Sequence, residues 1–203
     1  YLAEAEALVR SCSGFEESVS SFDYNSDGSP EYVCRMNDYT ACITAMGGEI
    51  SELDVMQSTC NYADNPSRIE EFDGCNDNYY RGLFIDHIFT DEDMENYLVK
   101  KPAGSGIFSQ GKYEEQKFSS QHNEITLCAK AVFSEKKQMI RLRKKYIANS
   151  SGFTVQYILR NDSGEPLHAN FAVESNFTQT NFTTSDFNPY RVEIAAAATN
   201  TEI

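Results

Sequence analysis

The feature that most constrains this chain is a series of period-two runs in its second half. In Glu124–Phe133, Ile125, Leu127, Ala129, Ala131 and Phe133 occupy alternate positions. In 139–147, Ile140, Leu142 and Tyr146 oppose Arg141, Arg143 and Lys145. In 153–160, Phe153, Val155, Tyr157 and Leu159 point one way. Successive side chains of a strand face opposite sides, so each run offers one apolar face to a core. The connectors Asn149-Ser150-Ser151-Gly152 and Asn161-Asp162-Ser163-Gly164 are rich in turn formers. Many antiparallel strands on short connections imply a mainly β fold, an antiparallel β-sandwich with one continuous core. Ile125, Leu127, Phe153, Val155 and Tyr157 are the expected inward residues.

The same period is visible earlier. Residues 32–36, 39–46 and 49–55 are strand candidates separated by Asn37-Asp38 and Gly47-Gly48, two-residue hairpin signals. Residues 80–89 form an apolar strand-like run, 90–97 an acidic stretch able to form one or two helical turns, and 169–177 and 191–197 two further strands. Residues 57–78 are irregular and polar; a loop of that length is usually functional or packs against another body. Residues 1–9 read as helix, with Gly14 as a natural stop. The expected division is 1–14 as the tail of a preceding helical segment and 15–203 as the sandwich.

Composition narrows the partners. Of 203 residues, 40% are apolar, with 13 Phe and 12 Tyr, so the chain can bury a core. The absence of Trp argues weakly against a stand-alone sugar-binding module, since Tyr and Phe also stack on sugar rings. A net charge of −14 repels phosphate backbones and anionic lipid, so neither nucleic acid nor membrane is an expected partner. The basic group Arg141, Arg143, Lys144 and Lys145 reads largely as the solvated face of a strand. No apolar run reaches membrane-spanning length, and no signal peptide is visible. Cys12, Cys34, Cys42, Cys60, Cys75 and Cys128 show no zinc-ligand spacing and read as reduced thiols of a cytoplasmic protein. Four Asn-x-Ser/Thr triplets, at Asn149, Asn161, Asn176 and Asn181, arise readily in loops of this composition.

Two constellations carry possible chemistry. In Asp23-Tyr24-Asn25-Ser26-Asp27-Gly28-Ser29-Pro30-Glu31, oxygen ligands alternate before a glycine. That spacing suits calcium at Asp23, Asn25, Asp27 and Glu31, in a structural role. It is not an EF-hand: Cys34 stands at the twelfth position and a strand follows. A plain acidic turn is the competing reading. In 81–89, an Asp-His pair sits inside an apolar strand. Asp86 and His87 must point to opposite faces, and burial with hydrogen bonding accounts for either locally. His122 and His168 fall beside turns. No serine triad, nucleotide-binding glycine loop or carboxylate pair stands out, so no catalytic residue is assigned.

The order of these pieces resembles the C-terminal β-sandwich region of glycoside hydrolase family 57, the α-amylase and 4-α-glucanotransferase group, over about residues 22–177. Carrying it are the acidic loop from Phe22 to Val33, the run Gly47-Gly48-Glu49-Ile50-Ser51-Glu52-Leu53-Asp54, Asn61-Tyr62-Ala63-Asp64 with Arg68 and Glu70, and Arg81-Gly82-Leu83-Phe84-Ile85-Asp86-His87-Ile88-Phe89. The later strands follow, with Val155, Tyr157, Leu159 and Asn161 in the pattern Val-x-Tyr-x-Leu-x-Asn. The resemblance implies a galactose-mutarotase-like supersandwich, a catalytic barrel elsewhere in the same polypeptide, and an α-1,4-glucan substrate for the parent. It makes Arg81, Asp86 and His87 substrate-binding candidates and implies that this chain alone is silent. The rival is a secreted, calcium-dependent carbohydrate-binding or adhesion module.

Overall fold

The computed structural model describes residues 2–12, 14–63, 79–99, 101, 106–133, 136–178 and 201–202. Two antiparallel sheets face each other across an apolar core. The first runs β1 (Ser18–Phe22), β2 (Glu31–Arg35), β3 (Tyr39–Ile43), β4 (Ile50–Val55), β6 (Leu83–Phe89) and β11 (Asn170–Ser175), with β5 (Cys60–Asn61) paired to β4. The second runs β12 (Thr201–Glu202), β10 (Gly152–Asn161), β9 (Gln138–Asn149), β8 (Glu124–Phe133) and β7 (Glu114–Ser119). Helix α1 (Leu2–Cys12) extends past the expected end at residue 9, and α2 is Asp91–Leu98. The strand expected at 191–197, most of the polar loop and Cys75 lie outside the described residues.

Hydrophobic alternation sets the inner faces. Ile125, Leu127, Ile140, Leu142 and Leu159 are fully or almost fully buried, Tyr157 nearly so, and Phe153 and Val155 pack partly buried against the same core. The turn chemistry sets the hairpins. Asn149 and Gly152 pair at the β9–β10 turn, and the Asn149 Oδ1 accepts from the Ser151 amide at 3.2 Å. Gly47 and Gly48 both have positive φ, 70° and 58°, which suits glycine at a tight reversal between β3 and β4. Helix α2 begins with a capping box, in which Thr90 and Asp93 exchange side-chain-to-backbone bonds.

The sheets are also joined by polar contacts. The Tyr39 hydroxyl of β3 donates to the carbonyls of Asn149 and Gly152, at 3.0 and 2.8 Å, and fixes the β9–β10 turn. The Tyr32 hydroxyl of β2 donates to Glu115 of β7 at 2.8 Å. Arg10 brings α1 onto the first sheet, donating to the carbonyls of Met36, Asn37 and Tyr39 and to the Thr40 hydroxyl.

β6 is the irregular strand. It meets β4 at one pair, Ile50 with Leu83, and its pairing with β11 shifts register between Glu174 and Ser175. Phe84 there takes a left-handed backbone, φ 61°, costly for a bulky residue. Gly82 lets the chain approach β4: a Cβ there would lie 2.2 Å from the Ile50 carbonyl oxygen.

Candidate functional site

The bulge at Phe84 frees its carbonyl from the ladder, and a lysine from the opposite sheet takes it. Lys144, on β9, is fully buried, and its Nζ donates to the Phe84 carbonyl and, at 2.9 Å, to Asp86 Oδ2. This corrects the reading of Lys144 as part of a solvated basic face. The residue belongs to the inward series Ile140, Leu142, Lys144, Tyr146, Ala148, all buried. Arg141, Arg143 and Lys145 do alternate outward, with Arg143 exposed and the other two half-buried.

Tyrosines surround the pair. Tyr113 donates to Asp86 Oδ2 at 2.7 Å, and Tyr146 donates to the Gly48 carbonyl at 2.8 Å. The Lys144 ammonium lies 5.3 and 5.4 Å from the ring centroids of Tyr146 and Tyr157, within cation–π range. Burial pushes the Asp86 carboxyl up, against the pull of Lys144. Burial likewise pushes the Lys144 ammonium down, against the pull of Asp86. Asp86 Oδ1 and the Tyr157 hydroxyl are buried without a partner at hydrogen-bonding distance, although Tyr157 is close enough to feel the Asp86 charge.

The other face of β6 carries a second network. His87, the next residue, reaches Glu174 of β11, Nε2 to Oε2 at 2.9 Å. Tyr79 and Tyr97 donate to the same oxygen at 2.9 and 2.7 Å, and Asn176 donates to Oε1 at 2.8 Å. Arg81 stands 3.5 Å from Glu174 Oε1 and donates to the side-chain Oδ1 of Asn176. The His87 ring stacks on Phe89, centroids 5.0 Å apart. Burial alone would raise the Glu174 carboxyl, yet the bonds from His87, Tyr97 and Asn176 hold it at about 2. The structure thus brings Arg81 and His87 together through Glu174 and sends Asp86 to the opposite face. Glu174 escaped the sequence reading; its sole signal there is an acidic residue within an apolar strand.

Glu49 is a further buried acid. It follows the Gly47-Gly48 turn, is 2% exposed, and its Oε2 has no partner. Burial pushes its carboxyl up to about 8, opposed first by a hydrogen bond from the Gly82 amide and then by Lys144, and assisted by the charges of Glu174 and Asp86.

The acidic loop closes on itself. Asp23 accepts from the Asp27 and Gly28 amides at 3.1 and 3.0 Å, Asn25 Oδ1 from the Asp27 amide at 2.9 Å, and Asp27 from the Ser29 amide at 2.8 Å. Glu31 accepts from the Tyr24 amide at 2.7 Å. Asn25 Nδ2 sits between two carboxylates, donating to Asp27 at 3.0 Å and Glu31 at 3.1 Å. Among the described residues, no group of three or more His, Cys, Asp or Glu stands in metal-binding array, and no helix is long and apolar enough to cross a membrane.

Residues 75–200 match the family model for the C-terminal region of alpha-amylase/4-alpha-glucanotransferase. The chain belongs to this family. Among solved structures, 4-alpha-glucanotransferase from Thermococcus litoralis superposes with a TM-score of 0.64 at 23% identity, over 80% of this chain and 27% of that one. The chain therefore spans about a quarter of that enzyme's length. A galactose mutarotase-like protein from Clostridium acetobutylicum aligns with a TM-score of 0.47 at 15% identity, over 76% of this chain and 53% of that one. No curated protein matches by sequence. The family matched is the one the sequence resembles.

Lys144→Met leaves Asp86 buried without its cation, and denaturant melts should show a loss of about 3–5 kcal/mol. Adding Asp86→Leu removes the stranded carboxylate and should restore a large part of that loss. A single-variant curve overlying the wild type would show that the pair contributes nothing.

Glu49 gives a pH dependence of known sign. Its folded pKa lies above the ordinary 4.5, so the folded state holds its proton more tightly than the unfolded chain. Its contribution is complete below about 4.5 and is lost as pH rises through about 8. Glu49→Gln should flatten the decline in melting temperature across that window. Parallel pH profiles for the two proteins would show that Glu49 titrates normally.

Proposed function

We propose that this chain is the non-catalytic β-sandwich of an α-glucan-acting glycoside hydrolase or glucanotransferase of the family 57 type. In this reading it supports a catalytic domain elsewhere in the same polypeptide and contributes to glucan contact. The observation that carries it is the match of residues 75–200 to a C-terminal family region. The fate of the Arg81 to Phe89 residues supports it. Asp86 and His87 are buried on opposite faces of one strand, each tied into a network that joins strands. Such residues hold a scaffold; they have no open cleft in which to meet a glycosidic bond.

The cytoplasm is the compartment that goes with this reading. Arg81 enters as a candidate for glucan contact, since it lines a cleft of about 220 Å³ beside β4.

Incubated with maltoheptaose, the 203-residue chain should release no sugar and redistribute no chain lengths. Turnover abolished by a carboxylate substitution in this chain would overturn the reading. Expressing the parent's catalytic portion with and without this domain tests the supporting role: without it, soluble yield and activity should fall together.

A structural calcium ion at Asp23, Asn25, Asp27 and Glu31 is a separate proposal. What favours it is the Asn25 amide nitrogen, a donor held between two carboxylates where a cation would sit. Side-chain amides exchange oxygen for nitrogen by a simple flip, which would turn a donor into a ligand. Calcium should then raise the melting temperature over that in chelator, and Asp27→Ala should remove the rise. Coincident melting curves would leave the self-closed acidic turn.

A further inference from the structure

We propose that the cleft between β4 and β6, walled by Glu49, Ser51, Asn61, Tyr80 and Arg81, binds a single neutral sugar residue, the end unit of an α-glucan. The proposal deepens the glucan-contact reading above and rests on it.

Two features of this cleft together point to a ligand. The first is a buried acid with an unmet hydrogen bond. Glu49 is 2% exposed, lines the cleft, and leaves Oε2 without a partner. Native proteins seldom bury an oxygen this way unless a ligand or water meets it. The second is an aromatic ring where folding does not need one: Tyr80 is 80% exposed at the same cleft. A large, exposed ring offers an apolar platform for the C–H face of a pyranose.

The remaining walls supply oriented polar groups. Asn61 Oδ1 accepts from the Leu53 and Ala63 amides, at 3.1 and 3.0 Å. Those bonds fix the amide, and its NH2 group makes no hydrogen bond to the described residues. Ser51 donates to the Cys42 carbonyl at 3.3 Å, which leaves its oxygen able to accept. Arg81 is positioned by Glu174 and Asn176. Few convergent polar groups beside an aromatic wall are the usual make-up of a small-molecule site.

Charge selects the ligand class. Glu174 and Asp86 stand near Glu49, and the chain carries −14 overall, so an anion is repelled. Arg81 in the wall opposes a cation. A neutral ligand rich in hydroxyls remains. Burial that keeps Glu49 protonated at neutral pH makes it both donor and acceptor, which matches a hydroxyl. A volume of about 220 Å³ is room for one sugar ring.

The larger cleft, about 390 Å³ beside α1, has exposed rings in Phe22 and Tyr24 but no buried acid with an unmet hydrogen bond. Its Glu6 is already met by Arg10 and by Thr40, at 3.2 and 2.6 Å, and none of its lining residues buries an unpartnered polar atom.

The test is a titration of the 203-residue chain with maltotriose, followed by calorimetry and by saturation-transfer NMR. Wild type should bind saturably, with a dissociation constant of about 1 mM, as expected for one ring in a shallow site. Tyr80→Ala, harmless to folding at so exposed a position, should weaken binding at least tenfold. Glu49→Gln keeps a donor and an acceptor and should bind within about threefold of wild type, whereas Glu49→Leu should abolish binding. Melting curves confirm that each variant is folded. Absence of saturable binding by wild type, or binding that none of the three substitutions changes, overturns the proposal. The supporting role is measured separately, by the parent's soluble yield, so a failure here leaves that reading standing.

Discussion

The contact on which this sandwich turns is the reach of Lys144 across the core to the Phe84 carbonyl and the Asp86 carboxylate. Burying two opposite charges is expensive, and a pair of well-packed apolar side chains would hold the sheets together at least as well. What the ion pair adds is a requirement of distance and direction that apolar packing does not impose. β6 needs such a requirement. It pairs along its length with β11 but meets β4 at one residue pair and carries a left-handed Phe84, so the ladder on the β4 side specifies its position weakly. The carbonyl released by that bulge would be a buried acceptor without a donor were Lys144 elsewhere. Bulge and lysine are therefore one device: the irregularity creates the acceptor, and the opposite sheet supplies the cation.

The two faces of β6 divide the work. Asp86 faces the second sheet; His87 faces the layer formed by Tyr79, Tyr97 and Glu174. Through Tyr97 that outer network fastens α2 to β11, and Asn170 donates to Asp91 at the start of the same helix. Glu174 shows how many donors are needed to keep a buried carboxylate charged: with several it titrates near 2. Glu49, just before β4, has the Gly82 amide as its one donor and is pushed up to about 8. Equal burial and unequal hydrogen bonding thus produce a permanently charged strut and a neutral acid from the same residue type.

The regular part of this architecture was legible in the sequence because period two is a direct consequence of strand geometry. β8 begins and ends where the alternation does, and the Gly47-Gly48 and Asn149 to Gly152 turns sit where turn chemistry puts them. β1 and β7 were not, since Ser18–Phe22 and Glu114–Ser119 are polar strands near sheet edges with few apolar residues to mark a face. Lys144 is the instructive miss. Its charge suggested solvent, while its place in the alternation, between Leu142 and Tyr146, already put it inside. The register argument was the stronger one, because a strand cannot turn one side chain outward without turning its neighbours inward. The opposition of Asp86 and His87 was legible for the same reason. Their partners were not: Glu174 and Lys144 lie 87 and 58 residues away in sequence, and no local pattern joins them.

This distribution of chemistry decides how the family's Arg81 to Phe89 segment should be understood. A run that places an Arg, an Asp and a His within seven residues invites a catalytic reading. Strand parity splits it, and burial then determines what each part can do. Asp86 is sealed between the sheets, where no sugar reaches it. His87 is nearly as enclosed and is held by a carboxylate that is itself saturated with donors. Both therefore act by fixing β6 between its neighbours. Arg81 differs because it lies just before the strand, at the open edge beside Glu49 and Tyr80. A segment can thus be rigid in its middle and chemically open at its entrance. The rigidity serves the opening: Glu174 and Asn176, locked by the network around His87, are the groups that aim Arg81 at the cleft. Loosening His87 would consequently be felt first in the orientation of Arg81, before the sandwich core is disturbed.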